Sequence, residues 1–445
     1  MNRSETTAEG PFDVAVIGGG LAGLVAAALA SRAGKSVVLL ERGKHLGGRG
    51  ATTVREGISF NMGPHALYCG GDLMRLCREL KVPFTGRAPS PGRPRFLSGH
   101  RCYDQPMGLM SLLRSPLFTV REKWRLSRFL KEIAALDPRP LDRTSVADWV
   151  KAFAGTGNFA RLVHTFVRLG TFINDPEVFS AGTAVEQLQV GQQGGVWYVD
   201  GGWQSLASGL AVQAEEQGAR IRLGAAVTRV APADEGVRIE LSEGGAITAG
   251  SAIVALTPEA PAEILDLPTD HTVARFCETV RPARTACLDV ALSQLPRPDE
   301  RFTLGLDSPM YLSVHSAAAQ LAPEGIHVVQ VLKYAGSQKA ASHEAAEREL
   351  EQVLDDAQPG WREHVVARRF LPNMIAVSAV PTAAMGGTAG RPAAAVPGLP
   401  GVFLAGDWVG PKGVLADAAA ASGEQAAKLA VEFAARTPRS TVSMA

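Results

Sequence analysis

Apolar and polar positions divide the chain into stretches of different period. Val14, Val16 and Ile17 form a short apolar run that stops at Gly18. Residues 21–33 read as an Ala-rich helix ended by Gly34, and 36–40 as a second apolar strand ending on Glu41. Strand, helix and strand punctuated by glycines predict a parallel βαβ-like opening. From residue 72 to about 193 helical spacing takes over. Leu126, Phe129, Leu130 and Ile133 recur at i, i+3, i+4 and i+7 before Asp137-Pro138, which predicts one amphipathic helix. Residues 145–153 predict a second, capped by Ser145 or Thr144 with Asp148 in its first turn, and 162–172 a third. Beyond Trp197 a helix is expected to about residue 217, then strands over 220–223, 227–231, 237–241 and 252–256. Val237, Ile239 and Leu241 alternate there with Arg238 and Glu240, the mark of a half-exposed sheet. Apolar strands over 286–292, 310–314 and 326–332 and one helix near 342–357 suit a mixed sheet flooring a substrate cavity. Residues 386–400 are rich in Gly, Ala and Pro and read as a loop. A last strand ends in Gly406-Asp407, and Gly413-Val414-Leu415 opens a long Ala-rich helix.

Bulk properties narrow the classes that can carry this pattern. The 445 residues are 46% apolar and 20% charged, enough for a full core and for two domains' worth of chain. A net charge of +1 argues against nucleic-acid binding by phosphate neutralisation. The 5 cysteines are scattered without C-x-x-C spacing, so neither a disulfide framework, a metal site nor a redox dithiol is expected, and a reducing cytoplasm is the simplest setting. The first ten residues are polar and lack a signal-peptide core. No uninterrupted apolar stretch is long enough to span a bilayer; the 414–436 region comes nearest and is broken by Asp417, Glu424 and Lys428.

The opening stretch carries the chemistry. Gly18, Gly20 and Gly23 fall at G-x-G-x-x-G spacing between strand and helix. Gly18 permits a tight turn, Gly20 lets the backbone approach a pyrophosphate, and Gly23 lets helix pack on strand. The first helical turn, Leu21 and Ala22 included, offers unpaired N–H groups and a positive dipole end to phosphate. Glu41, eighteen residues past Gly23, is placed to accept hydrogen bonds from ribose hydroxyls. Arg42 follows, then Gly47-Gly48-Arg49, where two glycines let the backbone turn and an arginine points at phosphate or a ring carbonyl. Together these residues predict a dinucleotide site.

Gly18 to Leu24, Leu39-Leu40-Glu41-Arg42 and Leu46-Gly47-Gly48-Arg49 resemble the N-terminal signature of the FAD-dependent amine oxidase and phytoene desaturase superfamily. The segment Phe60-Asn61-Met62-Gly63-Pro64-His65 is similar to the stretch that passes near the flavin in bacterial carotenoid desaturases and hydroxysqualene dehydroxylases. His65 then has two readings, a donor to flavin or substrate and a hydrogen-bonded structural histidine. Gly201-Gly202 with the helix and strands after it resembles the family's middle landmark, which implies that Val227 pairs its backbone with adenine. Gly401 to Trp408 resembles the last landmark. It implies Asp407 beside ribityl or phosphate hydroxyls and the Gly413-Val414 helix start aimed at the flavin's pyrimidine edge. The family usually has glycine near Asp417, so a carboxylate there is a departure.

The resemblance implies an α/β architecture: a Rossmann-like FAD-binding domain of the glutathione-reductase type with an inserted α+β substrate domain. The expected parts are 1–71, 194–260 and 372–445 for the FAD domain, 72–193 for a helical substrate-binding insertion and 261–371 for the substrate sheet. With no second G-x-G-x-x-G and no dithiol, electrons would come from the substrate to flavin N5 and leave to oxygen or a quinone. Amine oxidases of the superfamily usually carry a lysine on a substrate-domain strand. The strand around Cys287 has none, and Lys333 on a neighbouring strand reads as a solvated edge residue. The expectation is therefore dehydrogenation of a lipophilic isoprenoid or polyene. Flavin amine oxidase, a protoporphyrinogen-oxidase-like enzyme and a non-enzymatic prenyl-protein escort are the alternatives. Residues 106–133 mix Met107, Leu109, Met110, Leu112, Leu113, Leu117 and Phe118 with Arg114, Arg121, Lys123, Arg125, Arg128 and Lys131, opposed only by Glu122 and Glu132. With Trp124 between the halves, they match a peripheral contact at the cytoplasmic face of a membrane; the plainer reading is a helix with a solvated basic face.

Overall fold

The computed structural model describes residues 11–336 and 342–436, so the polar first ten residues lie outside the described part. One seven-stranded sheet carries the glycine-rich turn at its centre. Its order is Arg220–Leu223, Val37–Glu41, Phe12–Ile17, Ala246–Val254, Gly236–Leu241 and Val227–Ala233. Ala246–Val254 pairs antiparallel with Gly236–Leu241 through its first half and parallel with Val402–Leu404 through its second. Both faces are covered: Val14 and Val16 pack into one cluster, Ala15 and Ile17 into the other. That is why these strands read as near-continuous apolar runs rather than alternating ones.

The helix Leu21–Arg32 is buried almost all round, between the helices Gln204–Glu216 and Leu415–Arg436. Small residues make this possible. A Cβ on Gly23 would stand 2.0 Å from the Gly18 carbonyl oxygen, and one on Gly423 would stand 2.4 Å from that of Ala22.

The second seven-stranded sheet runs Val365–Val377, Ala283–Leu292, His327–Gly336, Met310–Val314, Phe302–Gly305, Arg95–Ser98 and Arg101–Asp104. Every pairing is antiparallel except that of Phe302–Gly305 with Arg95–Ser98. The last two strands come from the stretch whose spacing predicts helices only. They are short: Arg101–Asp104 pairs only with its neighbour Arg95–Ser98, and Arg95–Ser98 joins the sheet through Phe302–Gly305, some two hundred residues away. On one face Leu288, Val290, Val329 and Val331 pack under the helix His343–Ala357. The other face turns Cys287, Leu332 and Tyr334 towards the interior.

The helical part comprises Leu109–Arg114, Val120–Ala135, Val146–Ala154, Asn158–Thr171 and Ala181–Gln192. Ser145 caps its helix by accepting the Asp148 N–H, and Phe129 and Ile133 are buried as their spacing implies. Leu130 is not: it is 63% exposed, because the helix buries only a narrow stripe. Lys333 also departs from expectation. Its strand lies inside the sheet, and its ammonium pairs with Glu349 on the covering helix rather than standing at a solvated edge. No described helix is long and apolar enough to cross a membrane.

Candidate functional site

Gly18 ends its strand at φ +107°, where a Cβ would meet the Ala255 carbonyl oxygen at 2.5 Å. Gly20 begins the first helix with no side-chain cap and no acid in the first turn, and a Cβ built on it would meet nothing within 4 Å. Leu21, Ala22 and Gly23 therefore present a helix N-terminus bordered by open space, the condition an anion needs. Gly47 crosses Gly20 in a backbone bridge, and Gly48, in a left-handed conformation, faces the Gly20 Cα. Two glycine turns thus meet edge to edge. Glu41 closes one end: its carboxylate accepts the N–H groups of Gly19 and Gly43, each at 2.7 Å. Its backbone carbonyl takes the Ala225 N–H, which brings the start of Val227–Ala233 alongside. Arg42 is exposed beside it.

Arg49 spans the cradle. Its guanidinium donates to both Asp407 oxygens, at 3.0 and 2.7 Å, while Asp407 also accepts the Ser378 N–H at 2.8 Å. Burial alone would push the Asp407 carboxyl up; Arg49 and Ser378 outweigh it and hold it below the usual carboxylate range. Asp407 is 2% exposed in its side chain and Arg49 41%, so the pair is open on one side. Gly406, at φ +152°, is fixed by mutual hydrogen bonds with Ser422.

Gly63 and Pro64 are buried, and His65 behind them bridges two carbonyls, Gly63 O at 2.9 Å from Nδ1 and Arg49 O at 3.1 Å from Nε2. Burial lowers the pKa of His65. A neutral ring carries one N–H and can donate to only one of those carbonyls. The ring also packs on Trp203 with centroids 4.7 Å apart. The Gly413 carbonyl accepts from Arg391 Nη1 at 2.9 Å; Val414 is buried beyond it, before the closing helix starts at Leu415. Asp417 does not line the cradle. It turns to the N-terminus of the helix Asp72–Glu79 and accepts the Leu73 N–H at 2.9 Å, which accounts for a carboxylate where glycine is usual. Burial raises its pKa to about 6.

Several contributors carry no motif. Arg369 is clamped on Asp289, with Nε at 3.0 Å and Nη2 at 2.5 Å from Oδ2, and also donates to the backbone carbonyls of Phe60 and Asn61. Gln330 and the Cys287 thiol donate to the other Asp289 oxygen. A Cβ on Gly63 would touch Met374 Cε at 2.6 Å and lie 3.9 Å from Cys287 Cβ, so the second sheet lies directly against the Gly63–His65 turn. Tyr198 stacks on His315 at 3.9 Å, and the Tyr311 hydroxyl lies 3.1 Å from His315 Nε2. Burial pushes that imidazole down to about 3, so it is neutral. A lone acid in an apolar strand was the one available signal for Asp289; nothing local marks Arg369 or Met374.

The uncapped helix end, the open face of Gly20 and the acid at the strand tip fit a dinucleotide. The comparisons agree. A family model described as flavin containing amine oxidoreductase matches residues 21–431. A putative flavin-containing monoamine oxidase of Mycobacterium tuberculosis is 29% identical over 278 residues, 58% of this chain and 60% of that protein. A 4,4'-diaponeurosporene oxygenase of Staphylococcus aureus is 26% identical over 264 residues, 52% of this chain and 53% of that one. The chain thus spans between half and two thirds of the length of these relatives. The crystal structure of an oxidoreductase from Methanosarcina mazei shares the fold over 94% of this chain and all of its own, with a TM-score of 0.75 at 18% identity.

Proposed function

The chain belongs to the flavin-containing amine oxidoreductase family, whose cofactor is FAD, and from that premise we propose that it dehydrogenates a lipophilic, isoprenoid- or polyene-like substrate. When bound, FAD supplies a two-electron acceptor. Gly18, Gly20 and Gly23 with the first helical turn would hold its pyrophosphate, Glu41 its ribose, and Val227 its adenine. Arg49 and Asp407, locked on each other, would border the ribityl and phosphate hydroxyls. His65 lies between the Gly63 and Arg49 carbonyls, donates its single N–H to one of them and packs on Trp203. It acts as a positioning residue for the Gly63–Pro64 turn.

One observation carries the substrate class. The sheet face turned to Gly63 presents Cys287, Leu332, Tyr334 and Met374, while Lys333, the only lysine on the described strands of that sheet, turns to the opposite face and is spent on Glu349. No amine base faces the turn from this sheet, and the remaining charge there, Asp289 with Arg369, is closed on itself. Apolar and aromatic side chains recognise a hydrocarbon by burial alone. Amine oxidation is the second reading, favoured by the longer match to the monoamine oxidase.

Anaerobic mixing of the flavin-loaded protein with polyenes, amines and porphyrinogens separates these readings. Bleaching of the flavin absorbance by polyenes alone is the expected result. Bleaching by amines alone would overturn it in favour of the second reading. NADPH by itself is expected to leave the flavin oxidised, since no second nucleotide fingerprint follows the first; after reduction by substrate, oxygen or a quinone would reoxidise the flavin.

A further inference from the structure

Among the described residues, thirteen large apolar side chains are exposed, and seven of them fall between residues 107 and 130. Met107, Leu109, Met110 and Leu113 lie on and before the short helix Leu109–Arg114, at 55–72% exposure. Val120, Trp124 and Leu130 lie on the helix Val120–Ala135, at 61–85%. A cluster of this kind on one pair of helices is far from the scattered singles of an ordinary surface.

The charges around it are mostly positive. Arg114, Arg121, Arg128 and Lys131 are exposed, and on the longer helix Arg121, Trp124, Arg128 and Lys131 recur at three- and four-residue spacing, which puts them on one face. The Arg128 guanidinium lies 4.8 Å over the Trp124 ring. The two acids of the segment do not offset this face equally. Glu122 is turned inward, accepting the Phe159 N–H at 2.9 Å, whereas Glu132 pairs with Arg128 at 3.2 Å. Arg125, which the sequence alone groups with the basic face, points inward and lies over the rings of Phe153 and Phe159. The same two helices reach the interior. Leu112 and Phe118 are buried in one apolar cluster with Cys287, Leu332 and Tyr334, and Cys287 stands against Gly63. Apolar side chains therefore run without a break from the exposed face to the turn beside the cofactor cradle.

We propose that the face formed by residues 107–131 docks on the surface of an anionic phospholipid bilayer. The exposed Met, Leu, Val and Trp side chains enter the headgroup boundary, while the cations meet lipid phosphate; the two contributions add. A lipophilic molecule leaving the bilayer would then enter along the Leu112–Phe118 cluster. This delivery role rests on the proposed substrate class, but the docking does not.

Co-sedimentation of the flavin-loaded protein with vesicles tests it. In low salt the protein pellets with vesicles of equimolar phosphatidylcholine and phosphatidylglycerol, stays in solution with phosphatidylcholine alone, and is released as salt rises. The triple substitution Arg114→Glu, Arg121→Glu and Lys131→Glu lowers partitioning by about a hundredfold or more, from about 1 kcal/mol per cation at about 1.4 kcal/mol per tenfold. Trp124→Ser with Leu113→Ser weakens it at every salt concentration. The flavin spectrum and melting temperature of each variant report folding, and Arg125 is left in place because it packs inside. Equal sedimentation of the triple variant and the wild type overturns the proposal. So does a lipid-free dimer that Trp124→Ser with Leu113→Ser dissolves, which would assign the face to a second copy of the chain. Docking with no polyene turnover would instead leave the surface standing and remove the proposed substrate.

Discussion

Two aspartates are each clamped by an arginine, one just past the strand Val402–Leu404 of the first sheet and one in the middle of the second. Asp407 and Arg49 are joined by two hydrogen bonds, yet the Arg49 side chain keeps 41% of its surface in solvent. Asp289 and Arg369 are 0% and 10% exposed, and Arg369 spends its remaining donors on the carbonyls of Phe60 and Asn61. The first pair has a free side on which a ligand can act; the second is saturated and ties one half of the molecule to the other. Similar chemistry thus performs two tasks, and solvent access decides which. A half-open pair can rehydrate when a partner is lost, whereas a closed one is left with an unpaired buried charge.

The largest effect should come from the closed pair. Asp289→Ala strands Arg369 inside and is expected to lower unfolding free energy by about 3–5 kcal/mol, measured by denaturant titration; a loss below that of Asp407→Ala would break the comparison. Asp417, buried with no cation clamped on it, sharpens it from the other side. Its folded pKa of about 6 lies above the ordinary aspartate value, so the folded state binds more protons between about pH 4 and 6, and stability falls as pH rises through that window. At about 1.4 kcal/mol per unit the cost at neutral pH is about 3 kcal/mol. Asp417→Asn keeps the acceptor for Leu73, and should flatten the stability curve between those limits; an unchanged slope would remove Asp417 as its source.

Glu41→Ala should act on binding more than on folding. Hydrogen bonds to a charged acceptor contribute about 1.5–3 kcal/mol, so FAD affinity is expected to fall about ten- to a hundredfold, read by fluorescence titration of flavin-depleted protein. An unchanged dissociation constant would place the ribose elsewhere. Asp407→Ala should give the smallest loss of stability, about 1–2 kcal/mol from the orphaned Ser378 N–H. It should also weaken FAD retention. A stability loss as large as that of Asp289→Ala would show the Arg49 pair to be as closed as the other.

The glycine cradle was legible because each of its requirements is local. A turn at positive φ, a helix start without a cap and an acid at a strand tip are all met within thirty residues, so spacing alone singled out Gly18, Gly20, Gly23 and Glu41 as residues that the fold brings together. The cap at Ser145 was legible for the same reason. The strands Arg95–Ser98 and Arg101–Asp104 were not, since four residues carry too little pattern to outweigh helical neighbours, and the hairpin they form joins its sheet through a distant strand. Leu130 and Arg125 show the same limit on one helix. Periodicity said that the helix has two faces, but only its packing against Phe153 and Phe159 decided where the boundary falls.

The sequence by itself determined the βαβ opening with its glycine turn and the long closing helix, because backbone geometry and helix-end chemistry act over a few residues. The tertiary structure alone decided that Arg369 locks Asp289 to the Phe60–His65 turn, that Lys333 faces away from it, and that the second sheet presents Cys287 and Met374 to that turn. Those outcomes depend on strand register, where a shift of one residue exchanges the two faces, and register is set by partners far apart in the chain.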